Sequence, residues 1–389
     1  MLGHYKKYSL FSVYLLGFLF AFQTALPTYI NSSFLDVYIS QNLIGFIYII
    51  ANILAITCFL MVPFVLRKFG NYRTALTLII LELCVLLGLA FFTNPIWLII
   101  LFILNAAVIP LIYFSNDIFL EGFSANKETG IIRGIYLTAV NLAWALSPVI
   151  AGLILANGDY WKIYLASFFF LLPVLLILTT SLRRFHDSKY EVTHVWQTLK
   201  VIRRNKNLFN IFMADFLLFF FYSWMTIYTP LYLHKYFDFS WTQIGIIFSI
   251  MLLPFVLVQF PVGRLADKKW GEKEMLSLGF LTIAISTGVI TFINSESMIL
   301  WAIILFITRI GAAIIEIMCD TYFFKKVDCL DTNIISCYRM IGPTAYIIGP
   351  LLATLIFTFL NFDLKYSFLI LGLIMFLGLR FSLSIQDTK

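Results

Sequence analysis

Long apolar runs separated by short polar breaks set the pattern of this chain. Twelve such runs cover residues 8–31, 41–66, 73–93, 96–120, 131–156, 161–182, 208–233, 241–266, 273–293, 298–324, 333–360 and 365–384. About 20 consecutive apolar residues suffice for a helix to cross the hydrocarbon layer of a bilayer. Each run therefore predicts a membrane-spanning helix. Connections are short except for residues 183–207, a polar, basic segment that divides the spans into two sets of six. The expectation is an all-α polytopic membrane protein with bundles at 1–182 and 208–389 and a linker between them.

The two halves echo each other at an offset of about 200 residues. Pro27 and Tyr29 answer Pro230 and Tyr232, and Ile44-Gly45 answers Ile244-Gly245. Phe102-Ile103 answers Phe306-Ile307, and Ser147-Pro148 answers Gly349-Pro350. Several matches in order at a nearly constant offset imply a duplicated six-helix unit, with the two bundles pseudo-symmetric. Parallel repeats of this kind are a transporter architecture.

Composition agrees. Hydrophobic residues make up 61% of the chain and charged residues only 12%, against about 25% charged in soluble domains. Most of the surface is expected to face the lipid bilayer. The net charge of +7 points to no nucleic acid, because the positive residues collect on one side of the spans. Lys6/Lys7, Arg67/Lys68/Arg73, the 183–207 segment, Lys268/Lys269/Lys273 and Lys325/Lys326 all fall there. Positive charge marks the cytoplasmic side. A multi-pass protein of the cytoplasmic membrane with both termini cytoplasmic is therefore expected. The apolar run that follows Lys6 and Lys7 is longer than a signal-peptide core and is taken as the first span. The five cysteines show no CxxC pair, and the four histidines lie in loops or at the terminus. No metal site is expected.

Charge within the spans carries the candidate chemistry. Arg309, Glu316 and Asp320 share the tenth span, and at about 100° per residue they fall on one helix face. Gly311, Ala312 and Ala313 between them leave room for another helix or a solute. Buried charge in a bilayer is costly and marks pathways. The competing reading is a structural ion pair that fixes helix packing. Glu82 in the third span reads equally as a hydrogen-bonded buried carboxyl or a proton site, and Asp215 in the seventh faces either a cavity or a gate.

After the eighth span comes GRLADKKWGEK at 263–273. It closely resembles the G-x-L-a-D-r-x-G-r-k loop of the major facilitator superfamily, with Gly263, Asp267, Lys268 and Lys273 in register and Gly271 one residue late. In that family the loop latches one state of an alternating-access cycle. The first-half counterpart, PFVLRKFGNYR at 63–73, keeps Gly70 and Arg73 but has Pro63 and Arg67 in place of the Gly and Asp. In the fifth span Gly134, Ser147, Pro148 and Gly152 resemble the glycine-rich element of the drug:proton antiporter branch. Gly349 and Pro350 repeat it in the eleventh span, which also fits an ancestral packing feature.

The resemblance implies twelve transmembrane helices, alternating access and solute near the midplane. Gln23, Asn105, Asn141, Trp224 and Tyr228 would then line the central cavity, with the two aromatic residues equally readable as packing. Glu316 is expected to titrate the coupled proton, with Arg309 as its partner. Proton-coupled efflux of an amphiphilic compound is the leading expectation. A proton-coupled sugar or metabolite symporter and an uncoupled facilitator share the same fold-level features. No cofactor is expected beyond a proton or sodium gradient, and no partner beyond the bilayer and a small-molecule substrate. A monomer is the expected state. No nucleophile–base pair or attached soluble domain supports an enzyme or sensor.

Overall fold

The computed structural model describes residues 2–123, 129–156, 158–183, 185, 195–268, 270–327, 332–360 and 363–386. Every regular element among them is helical, and they follow in order. The first half holds α1 (Leu2–Thr28), α2 (Asn31–Asp36), α3 (Gln41–Phe91), α4 (Pro95–Phe123), α5 (Thr129–Ile154) and α6 (Tyr160–Ser181). A short helix, α7 (Val195–Arg204), lies in the basic linker. Then come α8 (Lys206–Tyr236), α9 (Trp241–Leu257), α10 (Gln259–Lys268), α11 (Glu272–Ile290) and α12 (Met298–Lys326). The chain continues with α13 (Thr332–Arg339), α14 (Ile341–Leu360), α15 (Leu364–Met375) and α16 (Leu377–Ser382). Eleven helical stretches among the described residues are long and apolar enough to cross a membrane. Large apolar side chains such as Leu176, Phe169 and Leu153 are 60% exposed or more, which suits lipid contact and not water.

Two predicted spans meet inside α3. They are separated at Gly70, whose φ of 75° and ψ of 167° break the helix. That conformation is almost closed to a residue with a Cβ, which accounts for the glycine. Beyond the break, Thr74 Oγ1 donates to the Gly70 carbonyl at 2.8 Å, and Asn71 Nδ2 donates across to the Ser115 carbonyl of α4 at 3.0 Å.

The eighth predicted span is not one helix. It divides at Val258 into α9, of 17 residues, and α10, of 10. Pro261 explains the division: it lacks the N–H that would bond the carbonyl four residues back, and its ring crowds that carbonyl. Hydrogen bonding resumes on either side, from Val258 to the Pro254 carbonyl and from Val262 to the Val258 carbonyl.

The chain forms two compact units. Unit 1 comprises Met1–Ser40, Ile50–Val192 and Ser240–Gly245; unit 2 comprises Gln41–Ile49, Thr193–Phe239 and Ile246–Lys389. In unit 1, α1 packs on α4, α5 and α6. Ser147 Oγ of α5 donates to the Ala143 carbonyl at 2.7 Å and reaches the Phe22 carbonyl of α1 at 3.4 Å. In unit 2, α8 packs on α12 and α14, and α11 packs on α12 and α15. Gly349 of α14 lies directly against the Ser223 hydroxyl of α8. Ser147 and Gly349, which answer each other in the repeat, thus each face the first long helix of their own unit.

Candidate functional site

In unit 2 the charged stripe of α12 meets α8. Arg309 is 1% exposed, and its guanidinium lies 4.9 Å from the Phe221 ring centre and 5.6 Å from that of Tyr222. A desolvated cation over an aromatic face gains about 2 kcal/mol, which offsets part of the cost of burying it. Its Nη1 has no hydrogen-bond partner among the described residues. The Tyr222 hydroxyl donates to Glu316 Oε2 at 3.0 Å. Arg309 and Glu316 interact electrostatically but form no ion pair within 4 Å among the described residues. The two charges expected to pair directly are therefore joined through one tyrosine, whose ring faces the cation and whose hydroxyl serves the carboxylate.

The cluster continues toward the end of α12. Asp320 accepts from the Tyr338 hydroxyl of α13 at 3.3 Å. Tyr338 also stands beside Asp215 of α8, and Asp215, Asp320 and Glu316 lie within electrostatic reach of one another, with Arg339 nearby. Asp215 is 3% exposed, and its Oδ2 lacks a partner among the described residues. Tyr338 stacks on Phe323 of α12 with centroids 4.0 Å apart, which fixes α13 against α12. Three carboxylates, two hydroxyls and one guanidinium thus form a continuous series along α8, α12 and α13. Such a series can hold a proton and pass it between neighbours. The small residues of the stripe serve packing: a Cβ on Gly311 would lie 2.7 Å from the Gly279 carbonyl of α11. The room expected for a helix or a solute is taken by a helix.

In unit 1 three candidates assigned to different roles come together. Glu82 of α3 is fully buried, and Asn105 of α4 donates from Nδ2 to its Oε1 at 2.6 Å. Gln23 of α1, also fully buried, sits beside the same carboxyl. Glu82 therefore faces the bundle interior and two of the predicted cavity residues. Asn141 of α5 is half-buried.

Trp224 and Tyr228 are buried in unit 2. They form an aromatic ladder with Phe220 and Phe357, with centroids 5.4–5.9 Å apart. Trp224 Nε1 has no partner among the described residues, and Tyr228 stands beside Thr354. In the gate loop Gly271 is buried ahead of α11, and Lys273 is half-buried. Arg73 is exposed. The side chains of Gly263, Asp267 and Lys268, and likewise Gly134, lie outside the described residues. Gly152 lies against backbone also within unit 1: a Cβ there would fall 2.6 Å from the Trp241 carbonyl. Pro148 and Pro350 lie inside α5 and α14.

The sequence reading missed Tyr222, Tyr338 and the Glu272–Lys325 pair. In a chain with 20 Tyr and 41 Phe, a functional hydroxyl is hidden among aromatic residues that suit any lipid-facing surface. Tyr222 does lie seven residues after Asp215 on one helix face, a signal available only once Asp215 is taken as a site. Glu272, 4% exposed at its side chain, binds Lys325 at 2.8 Å. This ties the start of α11 to the end of α12.

Comparison with known proteins agrees with the helical architecture. The family model described as Major Facilitator Superfamily matches residues 9–328 and 242–386. No curated protein matches the chain. Among solved structures, a mutant of the nucleoside transporter NupG superposes with a TM-score of 0.78 at 14% identity, covering 97% of this chain and 100% of that one. The xylose transporter XylE from E. coli, in a partially occluded inward-open conformation, gives 0.74 at 15% identity with 99% of each chain covered. The TM-scores and coverage establish a shared fold.

Proposed function

The chain belongs to the major facilitator superfamily, and as such a multi-pass transporter we propose that it moves an amphiphilic solute outward in exchange for protons by alternating access. The observation that carries this reading is the Arg309–Tyr222–Glu316 series. A half-buried carboxylate held by a hydroxyl whose ring also faces a buried cation can take a proton and, on losing it, be held in place by both neighbours. Asp320, Tyr338 and Asp215 extend the series along the bundle and supply the next proton acceptors. The aromatic ladder of Trp224, Tyr228, Phe220 and Phe357 supports an amphiphilic solute. The fold is compatible with the cytoplasmic membrane, both termini cytoplasmic, a monomer, and no cofactor besides the ion gradient.

A proton-coupled sugar or metabolite symporter is the second reading. Its support is the shared fold with a nucleoside and a xylose transporter. One assay separates the two. Inside-out vesicles carrying the full chain are given a proton gradient and a pH-sensitive dye, then lipophilic cations, sugars and organic acids in turn. Cation-triggered proton release that disappears in Glu316→Gln is the expected result. Proton movement driven by sugars or acids alone overturns efflux in favour of symport.

A further inference from the structure

We infer that unit 1 holds a proton site of its own, in which the proton resides on Glu82 Oε2 and is shared with the side-chain amide of Gln23. Glu82 and Gln23 are fully buried, and Asn105 is 2% exposed. Asn105 satisfies Glu82 Oε1 at 2.6 Å. Glu82 Oε2 has no hydrogen-bond partner among the described residues, and neither has Gln23 Oε1. Gln23 Nε2 donates to Thr24 Oγ1 at 3.2 Å, and the same side chain lies within hydrogen-bonding reach of the Glu82 carboxyl. A buried carboxyl oxygen and a buried amide oxygen left without partners are costly, and native interiors rarely keep such a pair.

The chemistry of the two groups resolves this. An amide presents an acceptor and a donor related by a half-turn about its last side-chain bond. Turned one way, Gln23 offers Nε2 to a carboxylate. Turned the other way, it offers Oε1 to the O–H of a carboxylic acid. Gln23 therefore takes the orientation that the proton on Glu82 dictates. The groups facing Glu82 from α1 and α4 are the uncharged amides of Gln23 and Asn105; no charged side chain faces it from those helices among the described residues. Tyr113 of α4 stands between Thr24 of α1 and Trp144 of α5, within hydrogen-bonding reach of both. A solvated ion or solute has no room where both side chains are wholly buried, whereas a proton needs none. Binding it would switch one contact between α1 and α3, and α1 is the helix on which α4, α5 and α6 pack.

This site is independent of the Glu316 reading, and its test is spectroscopic. The full chain, reconstituted in lipid, is examined by infrared difference spectroscopy between acidic and alkaline buffer. A protonated-carboxyl C=O band that shifts in heavy water, is lost in Glu82→Gln and persists in Glu316→Gln is the expected result. Gln23→Leu, which removes the amide, should move the band to the frequency of a carboxyl without that hydrogen bond. A spectrum unchanged by Glu82→Gln in the folded protein overturns the site. A Glu82 band unmoved by Gln23→Leu overturns the sharing with Gln23. If Glu82→Gln does not fold, Glu82→Asp is read instead, and an unmoved band again overturns the site.

Discussion

Tyr222 donates its hydroxyl to Glu316 while its ring lies under the guanidinium of Arg309. One side chain thus joins a half-buried carboxylate and a buried cation that form no direct ion pair among the described residues. The two functions separate by mutation. Tyr222→Phe keeps the ring and removes the hydroxyl, and a hydrogen bond to a charged group contributes about 1.5–3 kcal/mol. Proton-driven transport per folded molecule should fall roughly tenfold or more, beyond any loss of thermal stability in detergent. Loss of stability without loss of transport would show that the hydroxyl is structural.

Arg309 makes the complementary prediction. Arg309→Lys retains charge but loses the planar face that stacks on Phe221 and Tyr222, and the two cations are not interchangeable at a stacked, buried site. A stability loss of about 1–2 kcal/mol is expected from the forfeited cation–π contact, read as a lower unfolding temperature in detergent. Arg309→Met should lose coupled transport altogether, measured as dye response in vesicles.

At Gly70 the backbone conformation itself is the reason for the residue. Gly70→Ala is expected to cost about 1–3 kcal/mol of strain without touching either candidate cluster. Reduced thermal stability is the outcome to look for, and a fall in transport rate per folded molecule beyond it would assign the break to the gate as well.

The Gly279–Gly311 crossing of α11 and α12 depends on both Cβ atoms being absent, since each would meet the other glycine's backbone carbonyl. Gly311→Val must separate two helices, and overpacking costs typically about 1–3 kcal/mol. Because α12 also carries Arg309 and Glu316, transport should fall together with stability.

Lys325→Ala would take the cation away from the buried Glu272 carboxylate. Losing a hydrogen bond to a charged group costs about 1.5–3 kcal/mol, and the partial exposure of Lys325 places this case toward the low end. Glu272→Gln combined with Lys325→Ala should recover part of the loss. A double mutant as unstable as the sum of the single ones would refute the coupling.

The apolar run lengths determined that this chain is a bundle of membrane helices, because lipid demands about 20 apolar residues per crossing and nothing else in a protein does. Charged residues inside those runs were equally visible, so Arg309, Glu316, Asp320, Asp215 and Glu82 could be named from the sequence alone. Helical periodicity placed three of them on one face. Who meets whom was decided elsewhere. Whether Arg309 reaches Glu316 directly depends on what α8 inserts beside α12, and the answer, Tyr222, belongs to a different helix nearly ninety residues away. Glu82, Asn105 and Gln23 converge from three helices, which no one-helix period can reveal. The break at Val258 was legible in Pro261, yet hydropathy ran through it, because proline interrupts hydrogen bonding without interrupting an apolar surface. Sequence fixes the period along one helix. Packing of side chains between helices fixes the partners, and a pairwise contact between distant segments exists only in the folded chain.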